Sequence, residues 1–304
     1  MSIYPPFLTK GDKIAIVATA RKTTPEELQP FIVMAKNAGF EVVFTPELFS
    51  AERQFAGSDE HRAADFQHWL NDTNVKAILL ARGGYGTARM VDGIDFSGFI
   101  NNPKWLIGFS DFTVIHTQVN CQYKLPTLHA AMPAFLKPDS KPEVVQSFAE
   151  MFEVLQGNIP TYKMPEHPLN NSGNCSGTLV GGNVSVIYST MGSVSEIDTT
   201  DAILFLEDLD EYLYHIDRMM VCLKRAGKLS PLKGIIVGHM NDMHDRGTPF
   251  GKTAEEIIKE HTEELGIPSY FNFDAGHMRM NHPLIFGTKV KIENNCLIFG
   301  SSNF

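Results

Sequence analysis

Residues 13–18, Lys-Ile-Ala-Ile-Val-Ala, are apolar at nearly every position and follow Gly11-Asp12. A run of this kind predicts a short strand buried on both faces. Thr24-Pro25-Glu26-Glu27 then reads as a helix start, with threonine at the N-cap, proline at the first helical position and acids in the first turn. That helix is expected to reach Ala38 and stop at Gly39. Residues 41–44 predict the next strand, Ser58 caps a helix through Ala63, Phe66 and Leu70, and residues 75–80 are again mostly apolar. Strands that alternate with helices, each strand apolar on both faces, predict a parallel sheet covered by helices.

The same alternation continues. An apolar run ends at Gly108, a helical pattern passes through Val114, Ile115 and Val119, and residues 126–129 and 142–156 predict a further strand and helix. Residues 157–173 are rich in Pro, Asn, Gly and polar side chains with little periodicity, and read as a linker. Beyond it, strands are expected at 178–183, 202–206, 234–237 and 270–273, and helices at 184–191, from Leu213 to Ala226-Gly227, and at 253–265. A closing hairpin is expected around Glu293-Asn294-Asn295. The fold class is therefore α/β: a parallel-sheet, Rossmann-like domain over residues 1–156, the linker, and a second, smaller α/β domain over 174–304.

The stretch Lys104-Trp-Leu-Ile-Gly-Phe-Ser-Asp-Phe-Thr113 carries the candidate chemistry. A strand that turns abruptly into a helix at a serine lifts the hydroxyl above the sheet edge, as in a nucleophile elbow. Ser110 is thus a candidate nucleophile, although Phe112 replaces the second glycine of G-x-S-x-G. The competing reading is a serine that caps a helix. Upstream, Arg82-Gly-Gly-Tyr-Gly86 follows a strand directly. It does not fit the dinucleotide pattern G-x-G-x-x-G and is expected to form a wall of the Ser110 site.

A serine nucleophile needs a base, usually a histidine oriented by a carboxylate. Two of the eleven histidines follow a glycine at a strand end: His239 in Val-Gly-His-Met and His277 in Ala-Gly-His-Met. Physical reasoning leaves both open. Glu207 and Asp208, at the end of the most apolar strand of the second half, are the candidate carboxylates. His239, Asp242, His244 and Asp245 offer a rival metal cluster, but their spacing matches no helical ligand pair and a solvated loop is expected instead.

Composition narrows the classes. At 304 residues the chain can hold two domains, each with a core. With 26 basic and 35 acidic residues the net charge is −9, and no dense Lys/Arg block suggests nucleic acid or anionic lipid as a partner. The four cysteines are widely spaced without a C-x-x-C pair, as in a reducing compartment. The N-terminal stretch lacks the basic and apolar regions of a signal peptide, and no stretch approaches the ~18 apolar residues of a membrane helix. A cytoplasmic protein is expected.

These pieces, in this order, resemble the LD-carboxypeptidases, also named muramoyltetrapeptide carboxypeptidases. The resemblance runs through Leu8-Thr-Lys-Gly-Asp-Lys-Ile, Ala56-Gly-Ser-Asp-Glu-His-Arg62, the glycine loop, Gly108-Phe-Ser-Asp-Phe-Thr113, Gly181-Gly-Asn183 and Leu206-Glu-Asp208. It continues with Tyr214-His-Ile-Asp-Arg218, Ala226-Gly227, Gly276-His277, Asn281, Pro283 and Gly287. It implies a Ser–Glu–His triad at Ser110, Glu207 and His277, which settles both ties, and a site at the interface of two domains. It further implies hydrolysis of an L,D-peptide bond in murein tetrapeptide, releasing D-alanine, with no metal or cofactor and a possible homodimer.

On that reading the oxyanion is held by the backbone N–H groups of Asp111 and Gly84, and Arg82 and Arg89 are candidates for the terminal carboxylate. Relatives often carry Pro-Ser after the first strand, where this chain has Ala18-Thr-Ala-Arg21. The related immunity-type peptidases, which cleave aminoacyl-nucleotide antibiotics, form an alternative. Trp69 and Trp105, the only tryptophans, both read as core or helix-face residues rather than a clamp on a nucleobase. An alternative of another class is a two-lobed, non-catalytic binder of small ligands.

Overall fold

Five parallel strands make the body of the first sheet: β1 (Lys13–Val17), β2 (Glu41–Val43), β3 (Val75–Leu80), β4 (Trp105–Gly108) and β5 (Thr127–His129). The computed structural model, which describes residues 4–300, orders them β2-β1-β3-β4-β5. The direction of winding reverses between β1 and β3. In open α/β sheets the crevice at such a reversal, beyond the carboxyl ends of the strands, is where ligands bind. The loops that follow β1 and β3 therefore flank the natural ligand crevice of this domain.

The helices start where local chemistry dictates. The hydroxyl of Thr24 accepts from the Glu27 N–H and the Glu27 carboxylate accepts from the Thr24 N–H, a full capping box opening α1 (Pro25–Asn37). Ser58 caps α2 (Asp59–Asn71). After α3 (Thr87–Met90) and α4 (Ser97–Asn101) comes α5 (Thr113–Gln122), which descends from the Ser110 turn, and then α6 (Pro142–Leu155).

The second sheet contains β6 (Thr161–Lys163), β7 (Cys175–Asn183), β8 (Ala202–Leu209), β9 (Gly234–Asn241) and β10 (Ser269–Tyr270). The chain then lays down β11 (Leu284–Phe286), β12 (Lys289–Glu293) and β13 (Cys296–Phe299). The sheet order is β10-β9-β8-β7-β12-β13-β6, parallel from β10 to β7 and antiparallel beyond. Helices α7 (Val184–Ser189), α8 (Leu213–Arg225) and α9 (Ala254–Thr262) accompany it.

The division at 157–173 is less clean than composition suggests. The expected linker contributes β6, which pairs with β13, and Tyr162 of that strand is buried. The expected second domain lends β11 to the first sheet, antiparallel to β5 with Leu284 opposite His129. This strand covers what would otherwise be an open edge. The second domain, expected to be the smaller, carries the larger sheet, seven described strands against six. The strand expected at 270–273 stops at Tyr270, because Asn272 adopts a left-handed φ of 64° that no extended strand allows. The outermost residues assigned to the two domains, 1–3 and 301–304, lie outside the described residues.

The two sheets are locked together by a continuous apolar core containing Leu79, Ile107 and Leu128 of the first and Leu179, Phe205 and Ile236 of the second. A closer contact sits beside it. A Cβ on Gly182 would stand 2.5 Å from Thr113 Oγ1, and that hydroxyl accepts from the Asn183 N–H at 3.1 Å. The helix that follows Ser110 is thereby docked on the end of β7.

One strand pair is equally intolerant. A Cβ on Gly181, where φ is +142°, would lie 1.9 Å from the Phe205 carbonyl oxygen on β8. Gly181→Ala cannot fit without separating these two central strands. Its expected cost is about 3 kcal/mol or more, or failure to fold, read from the denaturant midpoint of the purified variant.

Candidate active site

Ser110 sits directly beyond β4 with φ +64°, a left-handed conformation that a non-glycine residue adopts only when its surroundings hold it there. The hydroxyl caps no helix: α5 has Phe112 at its N-cap position, without a side-chain cap bond. The second glycine of the elbow is replaced at no steric loss, because the Phe112 ring folds back onto Gly108. A Cβ on Gly108 would stand 2.9 Å from that ring. Gly83, in the loop after β3, approaches from the other side, and a Cβ there would lie 3.2 Å from Ser110 Oγ.

His277 comes from the loop beyond β10. Its Nε2 lies 3.0 Å from Ser110 Oγ, and its Nδ1 lies 2.6 Å from Glu207 Oε2. The imidazole is held through its backbone as well. The His277 N–H donates to Glu207 Oε2 at 3.3 Å, and its carbonyl accepts from Asn241 Nδ2. Gly276 makes this approach possible: its φ is +107°, and a Cβ would collide with the Glu207 carboxylate at 2.7 Å. Its N–H donates to Asn281 Oδ1 at 2.9 Å. His239, the rival base, instead pairs with Asp274 at 3.2 Å.

The two acids at the expected strand end part ways. β8 runs on to Leu209, so Glu207 and Asp208 lie within it, with a register irregularity between Leu206 and Asp208. Glu207, fully buried, turns to His277. Asp208 accepts from Asn183 Nδ2 at 2.9 Å and from the Ser185 and Leu209 N–H groups at 2.8 Å, fixing the start of α7.

Electrostatics separate them further. Burial opposes ionisation of Glu207, but the adjoining His277 charge, the hydrogen bond to it and more distant His129 outweigh burial and hold the carboxyl below its ordinary value. Asp208 is pushed up to about 7 by burial and by the neighbouring Glu207 charge. Burial also disfavours imidazolium at His277. The Glu207 charge, the hydrogen bond to it and Asp208 together reverse that and raise the histidine. His116 and His129 are fully buried and pushed by loss of water to about 3 and about 4.

Ser110 and His277 open on a cavity of about 620 Å³, whose wall includes Gly83, Gly84, Tyr85 and Phe135 together with the ionisable residues Arg21, Glu27, Arg82, Lys137, Asp208 and Asp210. The glycine loop thus forms part of the cavity wall, with Arg82 and Gly84 in it. The Arg82 guanidinium is spent on Glu27 Oε1 at 2.9 Å. Arg89 is not brought to the cavity wall: it pairs with Asp59 at 2.7 Å and lies over the Phe55 ring, bracing α2 against the glycine loop. Arg21, Lys137 and Asp210 were not among the expected site residues. Only Arg21 carried a signal, as the end of the loop that departs from the family pattern.

Among the described residues, no group of three or more His, Cys, Asp or Glu side chains is arranged to hold a metal ion. In the candidate cluster, His244 pairs with Asp210 at 2.5 Å and Asp245 accepts from the Arg246 and Phe250 N–H groups. No helix among the described residues is long and apolar enough to cross a membrane.

Comparison with known proteins meets this geometry from both halves of the chain. Residues 14–130 match the LD-carboxypeptidase N-terminal domain and residues 176–292 the C-terminal domain. The chain belongs to the LD-carboxypeptidase family. Membership makes it a serine-type carboxypeptidase, a hydrolase. A probable murein peptide carboxypeptidase of Bacillus subtilis (strain 168) is 33% identical over 297 residues, covering 96% of this chain and 92% of the relative. The crystal structure of a muramoyltetrapeptide carboxypeptidase from Oxalobacter formigenes shares the fold with a TM-score of 0.85 at 24% identity, over 95% of this chain and 99% of that one. The microcin C7 self immunity protein, solved with aspartyl sulfamoyl adenosine, does so with a TM-score of 0.87 at 19% identity, over 98% and 99%.

The charge coupling is open to direct measurement. His277 is expected to titrate above the ordinary histidine value of about 6.5. In Glu207→Gln the carboxylate's opposition to burial disappears, and the titration is expected to fall below that value. An NMR pH titration of the His277 ring checks both. Because the folded His277 value is raised, the stability the histidine contributes is fully present below its unfolded pKa and is lost as pH climbs through the folded one. The contribution of the lowered Glu207 is instead lost as pH falls through its own folded value.

Proposed function

We propose that the chain is a carboxypeptidase that releases D-alanine from the L,D-peptide bond of murein tetrapeptide, with Ser110 as nucleophile, His277 as general base and acid, and Glu207 as the residue that orients the base. The observation that carries this reading is the continuous hydrogen-bonded line from buried Glu207 through His277 to Ser110 Oγ. A non-catalytic binder has no use for such a line. The murein substrate follows the relatives' names.

The site would then lie between the two domains, with the serine from one and the acid and base from the other. Ser110 Oγ attacks the carbonyl carbon of the scissile bond as His277 Nε2 takes its proton. Glu207 keeps Nδ1 protonated and offsets the imidazolium charge. The tetrahedral oxyanion accepts from the Asp111 N–H and, from the neighbouring glycine loop, the Gly84 N–H. Collapse breaks the C–N bond, with His277 returning the proton to the leaving amine of D-alanine. Water, deprotonated by the same imidazole, then attacks the acyl-serine; the ester C–O bond breaks, His277 returns the proton to Ser110 Oγ, and the shortened peptide leaves. The four cysteines, all free thiols, suit a reducing compartment, and we assign the reaction to cytoplasmic recycling of cell-wall peptide.

A second reading, cleavage of an aminoacyl-nucleotide, draws on Tyr85 and Phe135, two exposed rings in the cavity wall that a nucleobase could stack upon. Trp69 and Trp105 cannot serve there, since both are buried in the first domain.

Incubation with L-Ala-γ-D-Glu-diaminopimelyl-D-Ala and mass spectrometry for free D-alanine tests the murein reading. Release is expected, and none between mild acid and mild alkali would sink it. Ser110→Ala is expected to lose activity roughly ten-thousand-fold or more while still binding the peptide, because the oxyanion donors are backbone groups. His277→Ala should be comparably inactive and His239→Ala active; the opposite pair of results would mean the base is misassigned.

A further inference from the structure

An exopeptidase must recognise a free carboxylate close to the bond it cuts, since the two are separated only by the leaving residue's nitrogen and α-carbon. The cation that does so needs to reach the oxyanion loop and to carry charge that no protein carboxylate already neutralises. Neither Arg82 nor Arg89 meets both demands. Arg82 is paired with Glu27 and Arg89 with Asp59, the latter away from the cavity wall.

Arg21 meets both. It lies in the loop after β1, on the other side of the switch-point crevice from the glycine loop. Its arm lies flat across Gly84: a Cβ on that glycine would meet Arg21 Cγ at 2.5 Å, Cδ at 2.7 Å and Nε at 3.1 Å. The residue lines the same cavity as Ser110 and His277, and among the described residues its guanidinium has no ion pair. The loop is itself anchored from beneath. Arg62, buried, donates to the carbonyls of Thr19 and Gly86, and the Thr19 and Thr87 hydroxyls share a 2.7 Å hydrogen bond. Arg21 is thus carried on a braced turn rather than a free tip.

We propose that Arg21 is the carboxylate-recognition residue, its guanidinium fork taking the free C-terminal carboxylate of the leaving amino acid across Gly84. This rests on the carboxypeptidase reading above. A planar fork matches a carboxylate through two parallel N–H···O bonds, which a lysine ammonium cannot reproduce. Lys137, the other cavity cation without an ion pair among the described residues, lies beyond Phe135 rather than on the oxyanion loop.

The test reads binding without turnover. In the Ser110→Ala background, calorimetry compares the D-alanine-terminated tetrapeptide with its C-terminal carboxamide. The free acid is expected to bind about 10-fold or more tightly than the amide. Adding Arg21→Met should erase that preference by weakening the acid alone, Arg21→Lys should restore part of it, and Lys137→Met should leave it intact. The assignment is overturned if Arg21→Met keeps the preference, if Lys137→Met removes it, or if the parent protein shows none. Failure of the carboxypeptidase reading has a separate signature: the native protein releases no D-alanine.

Discussion

Everything at the site depends on how closely the second sheet can approach the helix behind Ser110. That approach is made of backbone. Gly182 lies against Thr113 where no side chain would fit, and the Asn183 N–H donates to the Thr113 hydroxyl. Asn183 stands opposite Glu207 in the β7–β8 register. The contact that seats α5 on β7 therefore also sets how far Glu207, and through it His277, lies from the serine. Interiors packed this tightly do not deform gradually. Ser110, beyond a strand of one sheet, and His277, beyond a strand of the other, can share a 3.0 Å hydrogen bond only because the elements beneath them have no slack.

The polar machinery is arranged so that burial works for it. Isolated in an apolar interior, Glu207 would gain a proton and His277 would lose one. Side by side each sustains the other's charge, and the backbone around Gly276 holds them so. Asp208, one residue on, takes the opposite course. Its oxygens are filled by donors from the start of α7, and the like charge of Glu207 pushes it up to about 7. Two adjacent carboxylates in one strand thus have different partners, Glu207 the His277 imidazole and Asp208 the start of α7.

The ionisable groups of the cavity come from both domains: Arg21, Glu27, Arg82 and Lys137 from the first, and Asp208, Asp210 and His277 from the second. Glu27 offsets Arg82, so the cavity cations of the first domain that no carboxylate pairs among the described residues are Arg21 and Lys137.

Local chemistry was legible in the sequence. The apolar run of β3, the Thr24–Glu27 capping box and the two asparagines of the closing hairpin, at φ 51° and 57°, are decided within a few residues, and the chain announces them in order. The family order of motifs likewise pointed to Ser110, Glu207 and His277 before any distance was known. Pairing between distant segments was another matter. Leu284–Phe286 is too short a run to reveal that it crosses to the first sheet, and Thr161–Lys163 reads as linker because its partner, β13, lies far along the chain. Which arginine is left without a carboxylate was equally hidden, because only the acids folded against Arg82 and Arg89 decide it. Periodicity and capping are nearest-neighbour effects that a sequence carries by itself, whereas burial, pairing and charge compensation depend on which distant residues the fold brings together.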